Sequence, residues 1–185
     1  MDDLSLHVLD IIENAVAAGA TNIEVRITDD EEQNLFMIEI ADDGRGMDKE
    51  ALKKAIDPFY TTKTVRKVGL GLSMLAQAAN EAGGKFEVQS QPGRGTKIHA
   101  RFMHDHIDRK PLGDMAETIT AFIAGNGEKV DLTYHHRRGD QEFFFYTAEI
   151  KQVLEEITIC HPEVISFIKR EIRDGVKSIS KRSKI

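Results

Sequence analysis

Asp10 and Asn14 stand four residues apart, a spacing that puts both on one face of a helix. An amide oxygen suits a hard magnesium ion, and a carboxylate one turn earlier can orient or deprotonate a nucleophile. Asp42 closes an apolar run and precedes Asp43-Gly44-Arg45-Gly46-Met47. A carboxylate at a strand end can accept a hydrogen bond from an exocyclic amine, and glycines beside it let the backbone approach a flat ring. The stretch DPFYTTKTVRKVGLGLSML, residues 57–75, sets threonine and lysine side chains before Gly69-Leu70-Gly71 at the predicted start of a helix. Backbone N–H groups at such a start suit phosphate. Gly93-Arg94-Gly95-Thr96 makes a tight turn before a strand, with a hydroxyl within reach of the same place. Each pattern alone also describes an ordinary turn or a solvated helix face. In this order they predict a site for a nucleoside triphosphate.

The elements that must position these groups follow from hydrophobic period. Leu4, Val8, Ile11, Ile12, Ala15 and Val16 recur at helical spacing over 3–18, and Gly19 is placed to end that helix. TNIEVRI alternates as a half-buried strand, and 34–41 is a more continuously apolar one. Asp48 is placed to cap a short helix running to about Ala55. Leu72, Leu75, Ala76 and Ala79 mark a further helix closed by Gly83-Gly84, and KFEVQS and TKIHARF are strands joined by the turn QPGRG. This order describes a two-layer α/β sandwich. A polar loop at 104–114 marks a boundary near residue 108. Beyond it a smaller α+β C-terminal region spans 109–176. A helix is expected near 114–124, a strand near 128–135, a turn at HRRGD, a strand at QEFFFYT, and helices near 148–158 and 162–175. Residues 177–185 read as a frayed basic tail.

Composition narrows the class. The chain has 185 residues, 41% hydrophobic and 30% charged, enough for one compact core with a small appendage. A formal net charge of −6 argues against nucleic acid as a partner, since phosphate contacts call for a basic surface. The lone Cys160 excludes an internal disulfide framework. The apolar runs are too short for a bilayer and the acidic start is unlike a secretion signal, so a cytoplasmic location is expected.

Residues 1–103 resemble the ATP-binding domain shared by DNA gyrase, heat-shock chaperones, sensor histidine kinases and mismatch-repair ATPases, the GHKL or Bergerat fold. ENAVAAGATNIEVRI resembles the N-box of mismatch-repair ATPases, and ADDGRGM the G1 box. DPFYTTK resembles the F-box, and VGLGLSML the G2 box of sensor kinases. GRGTKI matches the last glycine-threonine element. The resemblance implies a mixed sheet covered by helices on one face, with ATP and Mg2+ as ligands. It implies that Asn14 ligates magnesium and that Asp42 binds the adenine amino group. Gly44 and Gly46 would shape the adenine pocket, Met47 would line it, and Thr96 would assist there. Thr62 and Lys63 would begin an ATP lid in which Lys63, Arg66 and Lys67 offset triphosphate charge, and Gly69, Leu70 and Gly71 would meet the phosphates.

Departures from the pattern shape the functional expectation. Only thirteen residues precede Asn14, so no phosphoacceptor helical hairpin is expected before it. Sensor kinases usually carry asparagine where Asp10 stands. An acid there is the arrangement of the ATPase and serine-kinase branches, in which a carboxylate acts as general base. Lys67-Val68 replace the usual start of the G2 box. The reading is a cytoplasmic, Mg-ATP-dependent kinase or slow ATPase with Asp10 catalytic. It would act with a partner protein or on an acceptor in trans, with a homodimer as a further option. The alternative is a non-catalytic adenine-nucleotide sensor or binding subunit.

Four other features carry blander readings. His104, His106, His135 and His136 are read as solvated or loop histidines rather than metal ligands, and His7 as packed or exposed. Cys160 is read as a buried structural thiol. FFFY, 143–146, is read as sheet packing, with a subunit interface as its alternative, because both faces of that strand need cover.

Overall fold

A computed structural model of the chain describes residues 3–57 and 70–180. Helix α1 (Leu4–Ala17) is followed by the antiparallel strands β1 (Asn22–Asp30) and β2 (Leu35–Asp42), and by helices α2 (Lys49–Ile56) and α3 (Gly71–Glu81). Strands β3 (Lys85–Ser90) and β4 (Thr96–Met103) form a hairpin. Helix α4 (Met115–Asn126) then leads to strands β5 (Asp131–Arg138) and β6 (Gln141–Tyr146) and helices α5 (Thr147–Leu154) and α6 (Pro162–Ser180).

Among the described residues the strands form one mixed six-stranded sheet in the order β3-β4-β2-β1-β5-β6. Among the described residues only β1 and β5 pair in parallel. A parallel pair cannot close through a tight turn. Here α4 carries the chain from β4 across β2 and β1 to reach β5. The segment beyond residue 108 therefore extends the same sheet and shares its core, rather than packing as a separate layer.

Alternation explains which face is covered. Ile23, Val25 and Ile27 of β1, Phe36, Ile38 and Ile40 of β2, and Ile98, Ala100 and Phe102 of β4 all point one way and are buried. Leu4, Val8 and Ile12 of α1, Leu75 and Ala79 of α3, Ile119 and Ile123 of α4, and Ile168 and Ile172 of α6 cover that face. Burying each large aliphatic contributes about 1.5–3 kcal/mol. The opposite face is polar, with Glu24 paired to Arg26 at 2.6 Å and Glu39 to His99 at 3.1 Å.

Some boundaries differ from the sequence pattern. β5 runs through His135, His136 and Arg138, so the expected five-residue turn shrinks to Gly139-Asp140. Pairing with β1 and β6 holds these polar residues in strand form. α5 stops at Leu154, where Glu155 takes a φ of 52°. α6 continues to Ser180, past the expected frayed start at 177. Ile179 is buried there, and Ser180 Oγ donates to the Val176 carbonyl at 3.0 Å.

Candidate functional site

The sheet register gathers the first part of the site. Ser90 opposes Thr96 across β3 and β4, and Thr96 opposes Asp42 across β4 and β2. All three occupy core-facing positions in one row at one end of the sheet. Asp42 Oδ1 accepts the Gly44 N–H at 2.8 Å. Ser90 Oγ accepts the Met47 N–H at 2.8 Å, donates to the Gly95 carbonyl at 3.0 Å, and lies 2.9 Å from Thr96 Oγ1. Ser90 was missed at the sequence level. Its only signal was a hydroxyl ending a strand of the right alternation.

Burial pushes the Asp42 carboxyl above the usual carboxylate range; the Gly44 and Thr96 backbone amides oppose this and the Asp43 charge adds to it. Asp43 behaves oppositely. It accepts from Thr21 N at 2.7 Å, Thr21 Oγ1 at 2.9 Å, Asn22 N at 2.9 Å and Asn22 Nδ2 at 2.8 Å. Burial opposes its ionisation, but these bonds prevail and hold the carboxyl well below the usual range. Asp43 is thus a second residue that the sequence did not single out. It ties the start of β1 to the turn after β2.

Two glycines are required by the turn geometry. Gly46 has φ +67° and Gly95 φ +75°. A Cβ on Gly46 would overlap the Gln91 carbonyl, and one on Gly95 the Asp42 carbonyl. At Gly44 a Cβ would stand 2.9 Å from Asp42 Oδ1 and 3.1 Å from the Ala18 carbonyl. The Arg45 N–H donates to that same Ala18 carbonyl at 2.9 Å, docking the loop on the end of α1.

The second part of the site lies halfway along α1. Gly71, the first residue of α3, donates its N–H to Asp10 Oδ2 at 2.6 Å. A Cβ on Gly71 would come within 2.8 Å of that oxygen and 3.2 Å of the His7 carbonyl. Leu70 precedes it as a half-exposed residue whose carbonyl accepts from Ser73 Oγ at 3.0 Å and from the Met74 N–H at 2.9 Å. Asn14 sits between the two parts. Asp10 and Ala18 are separated by about 12 Å of helix at 1.5 Å per residue, and Asn14 lies halfway.

The structure therefore joins Asp10 to Gly71, and Asp42 to Gly44 and Thr96, with Asn14 and Met47 on the same elements. Thr62, Lys63 and Gly69 lie outside the described residues. The histidines expected to be solvated or in loops differ. His135 and His136 are both buried on β5, facing opposite sides. His104 Nε2 lies 2.7 Å from Asp29 Oδ1. Cys160 is half-buried with Sγ 3.3 Å from the Ile123 carbonyl. Among the described residues no helix is long and apolar enough to cross a membrane, and no group of three or more His, Cys, Asp or Glu converges on a metal position.

Known proteins share parts of this sequence and fold. Sensor kinase CckA of Brucella abortus is 38% identical over 119 residues, covering 64% of this chain and 12% of the relative. Sporulation kinase E of Bacillus subtilis is 34% identical over 95 residues, covering 49% of this chain and again 12% of the relative. The chain thus matches about an eighth of the length of each kinase. Among solved structures, the N-terminal domain of a DNA repair protein superposes with a TM-score of 0.52 at 15% identity. It covers 78% of this chain and 52% of that one, which shows a shared fold. Residues 2–106, more than half of the chain, match the model of the histidine kinase-, DNA gyrase B- and HSP90-like ATPase family, and the chain belongs to that family.

Proposed function

We propose that the protein binds Mg-ATP between α1, the Asp42 loop and the start of α3, and uses it as a cytoplasmic protein kinase or slow ATPase acting with a partner protein. The observation that carries this reading is the span of α1. One helix touches the Asp42 loop at Ala18 and the α3 start at Asp10, with Asn14 between them. That arrangement suits an elongated ligand with a flat ring at one end and phosphates at the other.

Asp42 accepts a hydrogen bond from the adenine amino group through the carboxylate capacity that Gly44 leaves unspent. The Thr96 backbone amide holds that carboxylate, Ser90 braces Thr96 at 2.9 Å, and Gly44, Gly46 and Met47 shape the ring's surroundings. Asn14 offers its amide oxygen to magnesium, which when bound supplies positive charge beside the phosphates. Leu70 and Gly71 present the α3 N-terminus to a phosphate, and Thr62, Lys63 and Gly69 complete the set on sequence grounds. Asp10 orients the attacking hydroxyl or water and takes up its proton.

A second reading, a non-catalytic adenine-nucleotide-binding subunit, has one observation in its favour. The Asp10 carboxylate is engaged as an acceptor at the start of α3, which is a positioning role. Isothermal titration with ATP, with and without magnesium, tests the site. Asp42→Asn is expected to weaken binding about 10- to 150-fold, matching loss of a hydrogen bond to a charged group of about 1.5–3 kcal/mol. An unchanged affinity would remove adenine from Asp42. Single-turnover ATP consumption with Asp10→Asn separates the two readings: a large fall supports catalysis, and no change supports the binding subunit.

A further inference from the structure

The two edges of the sheet differ in how they are finished. At one edge, β3 carries Lys85 paired with Glu87, and a lysine on an edge strand discourages pairing with another chain. At the other edge, β6 reads QEFFFY, with no lysine and no proline. Gly139 has φ +56° and Asp140 does not share a positive φ, so β5 and β6 join through a two-residue turn with glycine first. Arg138 and Gln141 flank that turn as a hydrogen-bonded pair. Pairs alternate from there, so Gln141, Phe143 and Phe145 spend their backbone groups on β5. The Leu132 N–H points the same way, donating to Thr147 Oγ1 at 2.8 Å, which confirms the phase. Glu142, Phe144 and Tyr146 therefore turn their N–H and C=O groups outward. Among the described residues no hydrogen bond reaches those outward groups, apart from the Tyr146 carbonyl that opens α5.

The side chains at these positions share the sheet face away from the helices. Phe144 is 46% exposed and lies flat on His135, centroids 4.2 Å apart at 3°, and Tyr146 stacks beyond it at 6.1 Å. Both His135 ring nitrogens are buried without a hydrogen-bond partner, and the Glu142 carboxylate lies 3.7 Å from Nε2, so this corner is an aromatic stack with a carboxylate at its rim.

We propose that β6 is a homodimer interface, in which a second copy adds its own β6 antiparallel about a two-fold axis at Phe144, making one continuous sheet. This axis sets Phe144 opposite Phe144 and Glu142 opposite Tyr146, all outward-turned positions. It forms about four backbone hydrogen bonds and lets each tyrosine O–H donate to the other copy's carboxylate. An axis one residue earlier would leave both Tyr146 N–H groups unused. The self-complementary order of Glu142, Phe144 and Tyr146 selects a second copy over an unrelated strand. The inference stands apart from the nucleotide reading.

Light scattering on the full chain across a dilution series should give about twice the 20.8 kDa chain mass, falling to the monomer on dilution. Phe144→Lys places like charges on the axis and should give a monomer at every concentration, with the circular dichroism spectrum of a folded chain and an unchanged ATP titration. In a Cys160→Ser background, Phe144→Cys should cross-link to itself under mild diamide oxidation, since facing Cα atoms in a hydrogen-bonded pair lie about 5.5 Å apart. Glu142→Cys alone should not cross-link, but should do so when mixed with Tyr146→Cys. A wild-type monomer throughout, or a folded Phe144→Lys dimer, overturns the interface. A dimer whose Phe144→Cys variant fails to cross-link overturns the register.

Discussion

Two groups of polar residues on the core-facing side of the sheet differ in what they do with their hydrogen bonds. At the open end, Ser90, Thr96 and Asp42 form a row on β3, β4 and β2. Deeper in, Tyr134 and His136 do so on β5, beneath α4 and α6. The Tyr134 hydroxyl meets His136 Nδ1 at 2.8 Å, and both residues are buried. The first group keeps hydrogen-bonding capacity to spare, and its carboxyl is pushed up by burial. The second spends its capacity within itself. A polar residue on a core face is thus not itself a sign of function. What separates a site from a structural pair is unspent capacity at an accessible end.

The largest expected effect tests the rigidity of the open end. Gly95→Val puts a branched side chain at positive φ against the Asp42 carbonyl. It should cost about 3 kcal/mol or more and abolish ATP binding. A stable variant that still binds would mean that the row does not need this turn.

The next test reads the sealed pair through pH. Burial pushes the His136 imidazole down to about 4, with the Asp29 charge opposing and Arg138 and His135 adding to the fall. The unfolded chain takes up this proton near the usual histidine value of about 6.5, the folded protein only near 4. The contribution is therefore fully present above about pH 6.5 and is lost as pH falls through about 4, about 3 kcal/mol in all. A histidine proton signal titrating near 4 in the folded protein checks it, and titration near 6.5 would place His136 among the accessible groups.

The smallest expected effect falls on the Tyr134 hydroxyl. Tyr134→Phe removes one partner of the pair and should cost about 1–2 kcal/mol in urea unfolding, with ATP affinity unchanged. A change in affinity would couple the buried pair to the site.

Much of the site was legible because its signals are local. Asp10 and Asn14 share a face at any helix of that period, and Asp42-Asp43-Gly44 must turn because a strand ends there. Asp48 was legible as a cap and accepts the Ala51 N–H at 2.8 Å. Asp43 and Ser90 were not legible, because their partners lie 22 and 43 residues away. His135 and His136 were misread for the same reason. A polar pair beside HRRGD looks like a turn until β1 and β6 flank it.

What the amino-acid order determined by itself was the run of helices and strands, the faces they bury, and the family of the first half of the chain. Side-chain period and turn chemistry are short-range properties, written within a few residues of where they act. Only the tertiary structure decided that β5 lies parallel beside β1, which fuses the C-terminal segment into the same sheet. It also decided that Asp10 meets the start of α3, and that β6 rather than β3 is left with an unguarded edge. Those outcomes depend on which distant strand or helix arrives alongside. That choice is made by the shared core and the loop-closure cost of reaching it, and no short window of sequence contains either.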